Sequence, residues 1–333
     1  MSNQPSISIV IPARNAEKTL AHTLESITAQ SESPDEIIIL DDGSHEPVES
    51  LERVRSTAGI RVIRLDRSRG PAVARNAGAA IVRSDIILFI DADVLLHKDV
   101  VAGVRRAFRD APGLAAVQGI YSNRLPDGHG LCTRYQNHYY HFSFTSVPAG
   151  QTAICATFCF AVSRDVFEAM GGFDTRITRP TVEDEAFGYR LAARGYEMRL
   201  DHGICVTHLA TYTLDQLILR KLRMSFHQVK SSLRGVRPPI RKGDRNRTHH
   251  SIGTLAAVVL APFLPVTWAW TWPAGLLMLI AYTAANARFW AYLSSEEPPV
   301  FFTEMLVLTW IDHMAIACGL AAGTLDFILG RRY

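Results

Sequence analysis

The 333-residue sequence lacks several features that mark other classes of protein. Its formal net charge is only +3, without the strongly basic balance of nucleic-acid-binding proteins, and we expect no nucleic-acid partner. No GxGxxG sequence is present, which disfavours a dinucleotide-dependent dehydrogenase. The five cysteines are odd in number and have no CxxC spacing. This cysteine usage favours reduced structural thiols in a cytosolic compartment over metal binding or disulfides.

Long apolar runs are missing from the start of the chain and appear near its end. The opening stretch, MSNQPSISIV, has no basic region and no long apolar segment, so we expect no secretory signal. Residues 252–285 contain no charged side chain. A membrane-spanning helix needs about 20 apolar residues, and this stretch is longer than one span.

The first ninety residues alternate between strand and helix patterns. Four apolar runs predict strands: SISIVIPA, DEIIIL, IRVIRLD and DIILFI. Helical periodicity in AEKTLAHTLESITAQ and an alanine-rich stretch opened by Gly70 and Pro71 predict helices between them. This alternation predicts an α/β fold with a mostly parallel sheet, flanked by helices. Such sheets bind ligands at the carboxyl ends of their strands, where the polar clusters PARN, DDGS and DADV fall.

The pair Asp91 and Asp93 ends the fourth predicted strand. Residues two apart on a strand face the same way, so both carboxylates can approach one point, where their charges repel. A divalent cation with hard oxygen ligands, Mg²⁺ or Mn²⁺, removes that repulsion and commonly also binds substrate phosphates. The pattern therefore indicates a metal-bound diphosphate, although an isolated DxD is often a solvated turn or a helix cap.

Five motifs in order resemble the family 2 glycosyltransferases, which have the GT-A fold of nucleotide-diphosphosugar transferases. These motifs are IVIPARN, ILDDGS, RGPAVARNAGAA, DADV, and GGFDT followed by VEDEAFGYRLAARGY. The resemblance covers residues 5–235. It implies a metal-dependent, inverting transfer of a sugar, typically a hexose, from a nucleoside-diphosphate sugar to an acceptor hydroxyl.

The resemblance also assigns roles to individual residues. Asp93 would ligate Mn²⁺ or Mg²⁺ directly, and Asp91 would contact the metal through water or the ribose. Asp41, with Asp42 as the second choice, would accept a hydrogen bond from the base. The nucleotide-sugar-binding residues implied in this way are Pro12, Ala13, Arg14, Asn15, Asp41, Asp42, Gly70, Arg75, Asp91, Ala92 and Asp93.

Further roles follow from the second half of the motif set. Asp184 in VEDE would be the catalytic base, and its acidic neighbours would raise its pKa. His208 occupies the place of a third metal ligand in related enzymes, with a structural histidine as the alternative. The basic residues Arg220, Lys221 and Arg223 would contact the leaving diphosphate, unless they form a solvated helix face or a positive flank before a membrane.

Three other functions are alternatives to single sugar transfer. Processive polysaccharide synthases resemble this chain but carry a QxxRW motif, whereas LDQLILRKLRMSFHQ has no tryptophan. The ED motif and GGFD argue against a nucleotidyltransferase. A catalytically inactive, membrane-bound sugar-nucleotide-binding protein is the third alternative.

We predict three segments along the chain: a GT-A catalytic domain at 1–235, a basic juxtamembrane linker at 236–251, and membrane-associated helices at 252–333. Within the last segment we expect a hairpin at about 252–290 and a further helix at about 300–329, with one long kinked span or a soluble helical cap as alternatives. Because sugar nucleotides are cytosolic and basic flanks stay inside, the catalytic domain is expected to face the cytoplasm at the cell (inner) membrane. The expected acceptor is membrane-proximal or lipid-linked.

Overall fold

The computed structural model describes residues 4–57, 59–176, 182–234, 252–270 and 272–330, and these group by contacts into two compact units. The described part of the first unit lies within Met1–Leu125 and Val147–Ala210, and that of the second within Pro126–Ser146, Thr211–Arg237 and Thr248–Tyr333. This grouping takes two segments from the predicted catalytic domain into the second unit. The predicted linker at 236–251 lies outside the described residues, and the functional boundaries stay predictions.

The first unit is built on a mixed β-sheet. Its described strands are β1 (Ile7–Ala13), β2 (Glu36–Asp41), β3 (Ile60–Arg64), β4 (Ile86–Ile90), β5 (Val94–Leu96), β6 (Ala116–Tyr121), β7 (Gly150–Gln151), β8 (Cys159–Ser163) and β9 (Met198–His208). The strand order is β3-β2-β1-β4-β8-β6-β9-β5, and β7 pairs with β9. The first four strands are parallel, as predicted from their continuous apolar runs, and β1 and β4 are almost fully buried.

The other half of the sheet departs from the parallel pattern. Strand β8 runs antiparallel to both β4 and β6, and β5 runs antiparallel to β9. Antiparallel neighbours need no helical crossover, so this half can be formed by short strands that come from distant parts of the chain. The pairing of β5 with β9 brings residues that are more than a hundred positions apart to one edge.

Helices cover the sheet of the first unit. They are α1 (Leu20–Thr28), α2 (Glu52–Ser56), α3 (Pro71–Ala79), α4 (Val100–Asp110), α6 (Arg164–Ala169) and α7 (Glu183–Ala193). Helix α3 begins after Gly70, whose φ of +93° only glycine adopts readily, and Pro71 occupies its first turn. Contacting aromatic rings join β4 and β8 to α6 and α7: Phe89, Phe160, Phe167, Phe173 and Phe187.

The second unit is helical. Its described helices are α5 (Leu131–Thr145), α8 (Leu214–Leu233), α9 (Ile252–Leu260), α10 (Phe263–Trp270), α11 (Trp272–Glu296) and α12 (Pro299–Ile328). Helices α9 and α10 both pack on α11, and α8 packs along α12. The α8–α12 approach is close: a Cβ on Gly323 would lie 2.5 Å from the carbonyl oxygen of Phe226.

The apolar C-terminal helix α12 carries ionisable residues that the second unit buries. Asp312 is 1% exposed, and its carboxylate accepts a hydrogen bond from Lys221 Nζ at 3.0 Å. Lys230 Nζ and Asp326 form a second pair between α8 and α12 at 2.5 Å. Among the described helices, Pro299–Ile328 is long and apolar enough to cross a membrane, a test that the core helix of a soluble protein also passes.

Candidate active site

A cavity of about 500 Å³ opens at the carboxyl ends of β1, β2 and β4. It gathers almost the whole predicted nucleotide-binding set: Pro12, Ala13, Arg14, Asn15, Asp42, Gly70, Arg75, Asp91, Ala92 and Asp93. Residues that the sequence analysis did not select complete the lining: Ala16, Thr19, Ser68, Pro71, Ala74 and Ala210. Parallel strands place their following loops at one edge, which is why motifs separated by up to eighty residues meet here.

The loop after β1 is held against the loop after β2. Asn15 has a φ of +50°, a left-handed conformation that asparagine tolerates better than most residues. Its backbone N–H donates to Ser44 Oγ at 3.0 Å, and its side-chain oxygen accepts from the backbone N–H of His45 at 2.9 Å. These bonds position the exposed side chain of Arg14 at the cavity.

The two aspartates of the DDGS motif have different surroundings. Asp41 is 1% exposed and does not line the cavity. Its oxygens accept hydrogen bonds from Ser44, Val48 and Arg64. Burial opposes ionisation of Asp41, but the bonds from Ser44 and Val48 and the charge of Arg64 outweigh it and lower its pKa. Asp42 lines the cavity, so the geometry favours it over Asp41 for contact with a bound base.

Asp42 also organises the loop before α3. Its carboxylate accepts hydrogen bonds from Ser68 Oγ at 2.8 Å and from the backbone N–H groups of Arg69 and Gly70 at 2.7 and 3.1 Å. The base-binding role of either aspartate stays a prediction.

Asp93 lies beside His208 at the cavity's edge. His208 Nε2 is 3.4 Å from Asp93 Oδ2, because the antiparallel pairing of β5 with β9 sets Val94 opposite His208. Asp93 is about a third exposed and His208 is largely buried. A carboxylate is a suitable donor for Mn²⁺, and a neutral imidazole is a common ligand of metal ions in proteins. Within the described ranges no cluster of three or more His, Cys, Asp or Glu residues is arranged as a metal site.

Asp91 is paired with Arg75, a contact the sequence analysis did not foresee. Arg75 Nη2 donates to Asp91 Oδ1 at 2.9 Å, and Arg75 Nη1 donates to Glu183 Oε1 at 3.0 Å. The arginine is 5% exposed and the glutamate 3%. Glu183 is therefore a residue of the site, whereas the sequence predicted it only as an acidic neighbour of the base. Its partner lies 108 positions earlier in the chain, so no sequence pattern reveals the pair.

The predicted base, Asp184, is the second residue of α7 and is partly buried. One oxygen accepts hydrogen bonds from the backbone N–H and side-chain hydroxyl of Thr157 at 3.2 and 3.4 Å, and the other accepts from the N–H of Glu185. Burial, reinforced by the charge of Glu183, raises the pKa of Asp184 to about 7, although Arg75 opposes the shift. Asp184 does not line the cavity, but it follows Glu183, whose partner Arg75 does.

The predicted diphosphate contacts belong to the second unit. Arg220 Nε donates to Tyr140 Oη at 3.0 Å, and Arg223 is exposed. Lys221 is 5% exposed, paired with Asp312, and its ammonium lies 3.6 Å from the centre of the Tyr139 ring. The structure thus gives the ammonium of Lys221 partners within its own unit. The diphosphate role of the three residues stays a prediction.

Comparison with known proteins agrees with this site. The model of "Glycosyl transferase family 2" matches residues 8–171, which include four of the five motifs up to the Gly-Gly turn. A pre-mycofactocin glycosyltransferase of Mycobacterium tuberculosis is 27% identical over 220 residues, 65% of this chain and 45% of the relative. The chain thus spans about half the length of that relative. Glycosyltransferase AglE of Haloferax volcanii is 24% identical over 238 residues, covering 69% of this chain and 75% of the relative.

A solved structure has the same fold. It is a mannosyltransferase from Pyrobaculum calidifontis in complex with GDP-Man and Mn²⁺, with a TM-score of 0.60 and 18% identity. The similarity covers 99% of this chain and 89% of the other. The mixed sheet, the motifs gathered at its edge and the family match agree. The chain therefore has the GT-A fold and belongs, through residues 8–171, to glycosyl transferase family 2.

Proposed function

We propose that this family 2 glycosyltransferase moves one sugar from a nucleoside-diphosphate sugar to an acceptor hydroxyl, with inversion at the anomeric carbon. One observation carries the proposal. The cavity lined by the predicted nucleotide-binding residues is connected, through the bond between Arg75 and Glu183, to the carboxylate of Asp184, whose pKa is about 7. A donor pocket and a general base in one site are what glycosyl transfer requires. The mannosyltransferase of the same fold, solved with GDP-Man and Mn²⁺, supports the class of donor.

The donor's nucleoside would lie in the cavity between the loop at Arg14–Asn15 and Asp42, with its diphosphate directed toward Asp91 and Asp93. The loops at this edge offer backbone and side-chain partners to a nucleoside, and Asp42 is ordered by three hydrogen bonds.

The residues present fit a divalent cation, by the chemistry of their donors. Asp93 and His208 lie 3.4 Å apart, and Asp91 lines the same cavity. Asp93 would be the direct ligand, with His208 beside it and Asp91 contacting the ion through water. Bound Mn²⁺ or Mg²⁺ supplies positive charge that offsets the charge of the leaving diphosphate.

Asp184 would serve as the general base. In the transfer, the acceptor oxygen forms a bond to the anomeric carbon as the bond from that carbon to the diphosphate oxygen breaks. The acceptor's proton passes to Asp184, and the nucleoside diphosphate leaves. A single displacement with one base inverts the anomeric centre, by the same logic as single-step glycosidases. A pKa of about 7 keeps a substantial fraction of Asp184 ionised at neutral pH while making it a stronger base than an ordinary aspartate.

We propose single rather than processive transfer, and attachment to the cytoplasmic face of a membrane. Helix α8, which follows the last strand, contains no tryptophan of the kind found in processive synthases. Large apolar side chains are exposed on α11 and α12, and α12 is a candidate span. The six basic residues from Arg234 to Arg247 would stay on the cytoplasmic side and attract anionic lipid. A membrane-proximal or lipid-linked acceptor is consistent with that location.

Nucleotide binding followed by transfer tests the proposal. The detergent-solubilised full chain is mixed with UDP, GDP, CDP, ADP or dTDP, with and without Mn²⁺, and its melting temperature is measured. The nucleotide of the true donor should stabilise the protein only with metal, by about 2.7 kcal/mol at a hundred times its dissociation constant. Radiolabelled sugar donors of that nucleotide are then assayed for transfer to a membrane lipid extract. Absence of stabilisation by every nucleotide would overturn the proposal.

A further inference from the structure

Arg75 occupies an unusual place for an arginine that lines a nucleotide cavity. Its side chain is almost completely buried, and its two terminal nitrogens donate to different carboxylates, Asp91 at 2.9 Å and Glu183 at 3.0 Å. Asp91 follows a strand in the nucleotide half of the unit, whereas Glu183 begins the helix that carries the base. One planar side chain therefore joins the donor-binding edge to helix α7.

Burying the charge of the Arg75 guanidinium costs free energy. A buried guanidinium is tolerated when carboxylates compensate its charge, and the planar fork of arginine suits two simultaneous bonds in a way that lysine does not. Arg75 Nε is buried and has no hydrogen-bond partner among the described residues, so the two carboxylates are the main compensation. Removing the bond to Asp91 or the bond to Glu183 would leave part of the buried charge of Arg75 without compensation. Because Arg75 needs both bonds, the positions of the two carboxylates depend on each other.

The residue after Arg75 makes a second connection from α3 toward α7. Asn76 donates to the carbonyl oxygen of Phe173 and accepts from its backbone N–H, both at 2.9 Å. Arg190, on α7, donates to the carbonyl oxygens of Met170 and Gly172 in the same turn. Gly172 has a φ of +69°, and a Cβ there would lie 2.6 Å from Asn76 Oδ1. Helix α3 thus supports α7 through neutral contacts as well as charged ones.

We propose that Arg75 is a positioning residue that holds the metal-side Asp91 and the base-side Glu183 in one fixed arrangement. This arrangement keeps the distance from the Asp184 carboxylate to the donor constant, and it keeps the charges around that carboxylate constant. The proposal deepens the proposed function and rests on it. Asn76 supplies the neutral part of the support, and Arg75 supplies the part that carries charge.

The charges around Asp184 make the proposal testable. Glu183 and Glu185 on its own helix favour its protonated form, Arg75 from α3 favours the ionised form, and Cys155, in the loop before β8, remains a neutral thiol because burial raises its pKa. The uncharged Thr157 donates its two hydrogen bonds. Loss of Arg75 should therefore raise the pKa of Asp184, whereas neutralising Glu183 should lower it. If Arg75 only supported the fold and its charge did not act on Asp184, the two variants would not shift this pKa in opposite directions.

The pH dependence of stability measures this pKa without any substrate. The folded pKa of Asp184 is about 7 and its ordinary value is 3.8, so the wild type should lose stability as pH rises from about 4 through 7. Stability is measured against pH for the wild type and for Asp184→Asn, and the difference between the two isolates that loss. The loss should level off just above pH 7, and the pH at which it does so is called the levelling point. In Arg75→Met the levelling point should move up by about 1–3 pH units, as expected when an adjacent positive charge is removed. In Glu183→Gln it should move down.

Two control variants keep the test interpretable. Asn76→Ala should lower the melting temperature at every pH without moving the levelling point. Arg75→Lys should keep the levelling point near that of the wild type, but weaken Mn²⁺-dependent binding of the stabilising nucleotide by at least about tenfold, since lysine cannot hold both carboxylates.

The outcomes separate the two ideas. An unchanged levelling point in both Arg75→Met and Glu183→Gln, with those proteins folded, would overturn the positioning role of Arg75. Should Arg75→Met fail to fold, Glu183→Gln and Arg75→Lys decide the question alone. Normal pH shifts with no nucleotide binding by the wild type would instead contradict the proposed function.

Discussion

Replacing Asp184 with asparagine should suppress sugar transfer while leaving the donor bound. Asparagine has nearly the same shape, and its oxygen can still accept a hydrogen bond from Thr157 or Glu185, but it cannot take the acceptor's proton. Loss of a general base typically lowers the rate by about 10²–10⁴-fold, which corresponds to about 2.7–5.4 kcal/mol of transition-state stabilisation. The assay is single-turnover transfer from the labelled donor, measured beside Mn²⁺-dependent nucleotide binding.

The pH profile gives the same prediction a second measurement. With a pKa of about 7, the wild-type rate should fall about tenfold for each pH unit below 7 and become constant above it, because the ionised carboxylate is the active form. The residual activity of Asp184→Asn should not show this dependence. Above pH 7 the variant should be at least as stable as the wild type, since a buried charge beside Glu183 and Glu185 has been removed.

A matched control comes from the turn that precedes the base helix. Asp174 is paired with Arg176, whose backbone and side-chain N–H groups donate four hydrogen bonds to its carboxylate, away from Asp184's own partners. Asp174→Asn should keep transfer within about tenfold of the wild type. Transfer by Asp184→Asn within tenfold of the wild type, or an equal loss of donor binding, would refute the reasoning that Asp184 is the base.

Three further predictions address the metal, the helical unit and the membrane. Asp93→Asn should abolish Mn²⁺-dependent nucleotide binding without lowering the melting temperature of the free protein, and wild-type transfer in excess EDTA would contradict a metal requirement. Asp312→Ala should destabilise the protein by about 3–5 kcal/mol because it leaves Lys221 buried without its carboxylate, and adding Lys221→Met should recover most of that loss in thermal unfolding. A Ser294→Cys thiol, in a variant whose five native cysteines are replaced, should be labelled from the cytoplasmic side of membrane vesicles, and labelling confined to the opposite side would favour two long spans.

The sequence was sufficient to predict what depends on local pattern and chain order. Continuous apolar runs predicted the four parallel strands, and the loops after them predicted the edge where ten of the eleven nucleotide-motif residues now line one cavity. Motif order predicted the family and the GT-A fold, which the comparisons confirm. These properties are carried by side-chain periodicity and by the common direction of parallel strands, both of which can be read along the chain.

The tertiary structure decided which partner each charged residue takes. Asp41 forms an ion pair with Arg64, Lys221 with Asp312, and Arg75 with two carboxylates. None of these pairings can be recognised from a local pattern in the sequence. Likewise, the contact of Asp93 with His208 exists because β5 runs antiparallel to β9, a pairing of strands far apart in sequence. The pKa of Asp184 has the same origin: acidic neighbours are visible in VEDE, but burial, the largest cause of the shift, arises when α7 packs against the sheet. Residue types and order are local properties, whereas burial and long-range charge pairing exist only once the chain has folded.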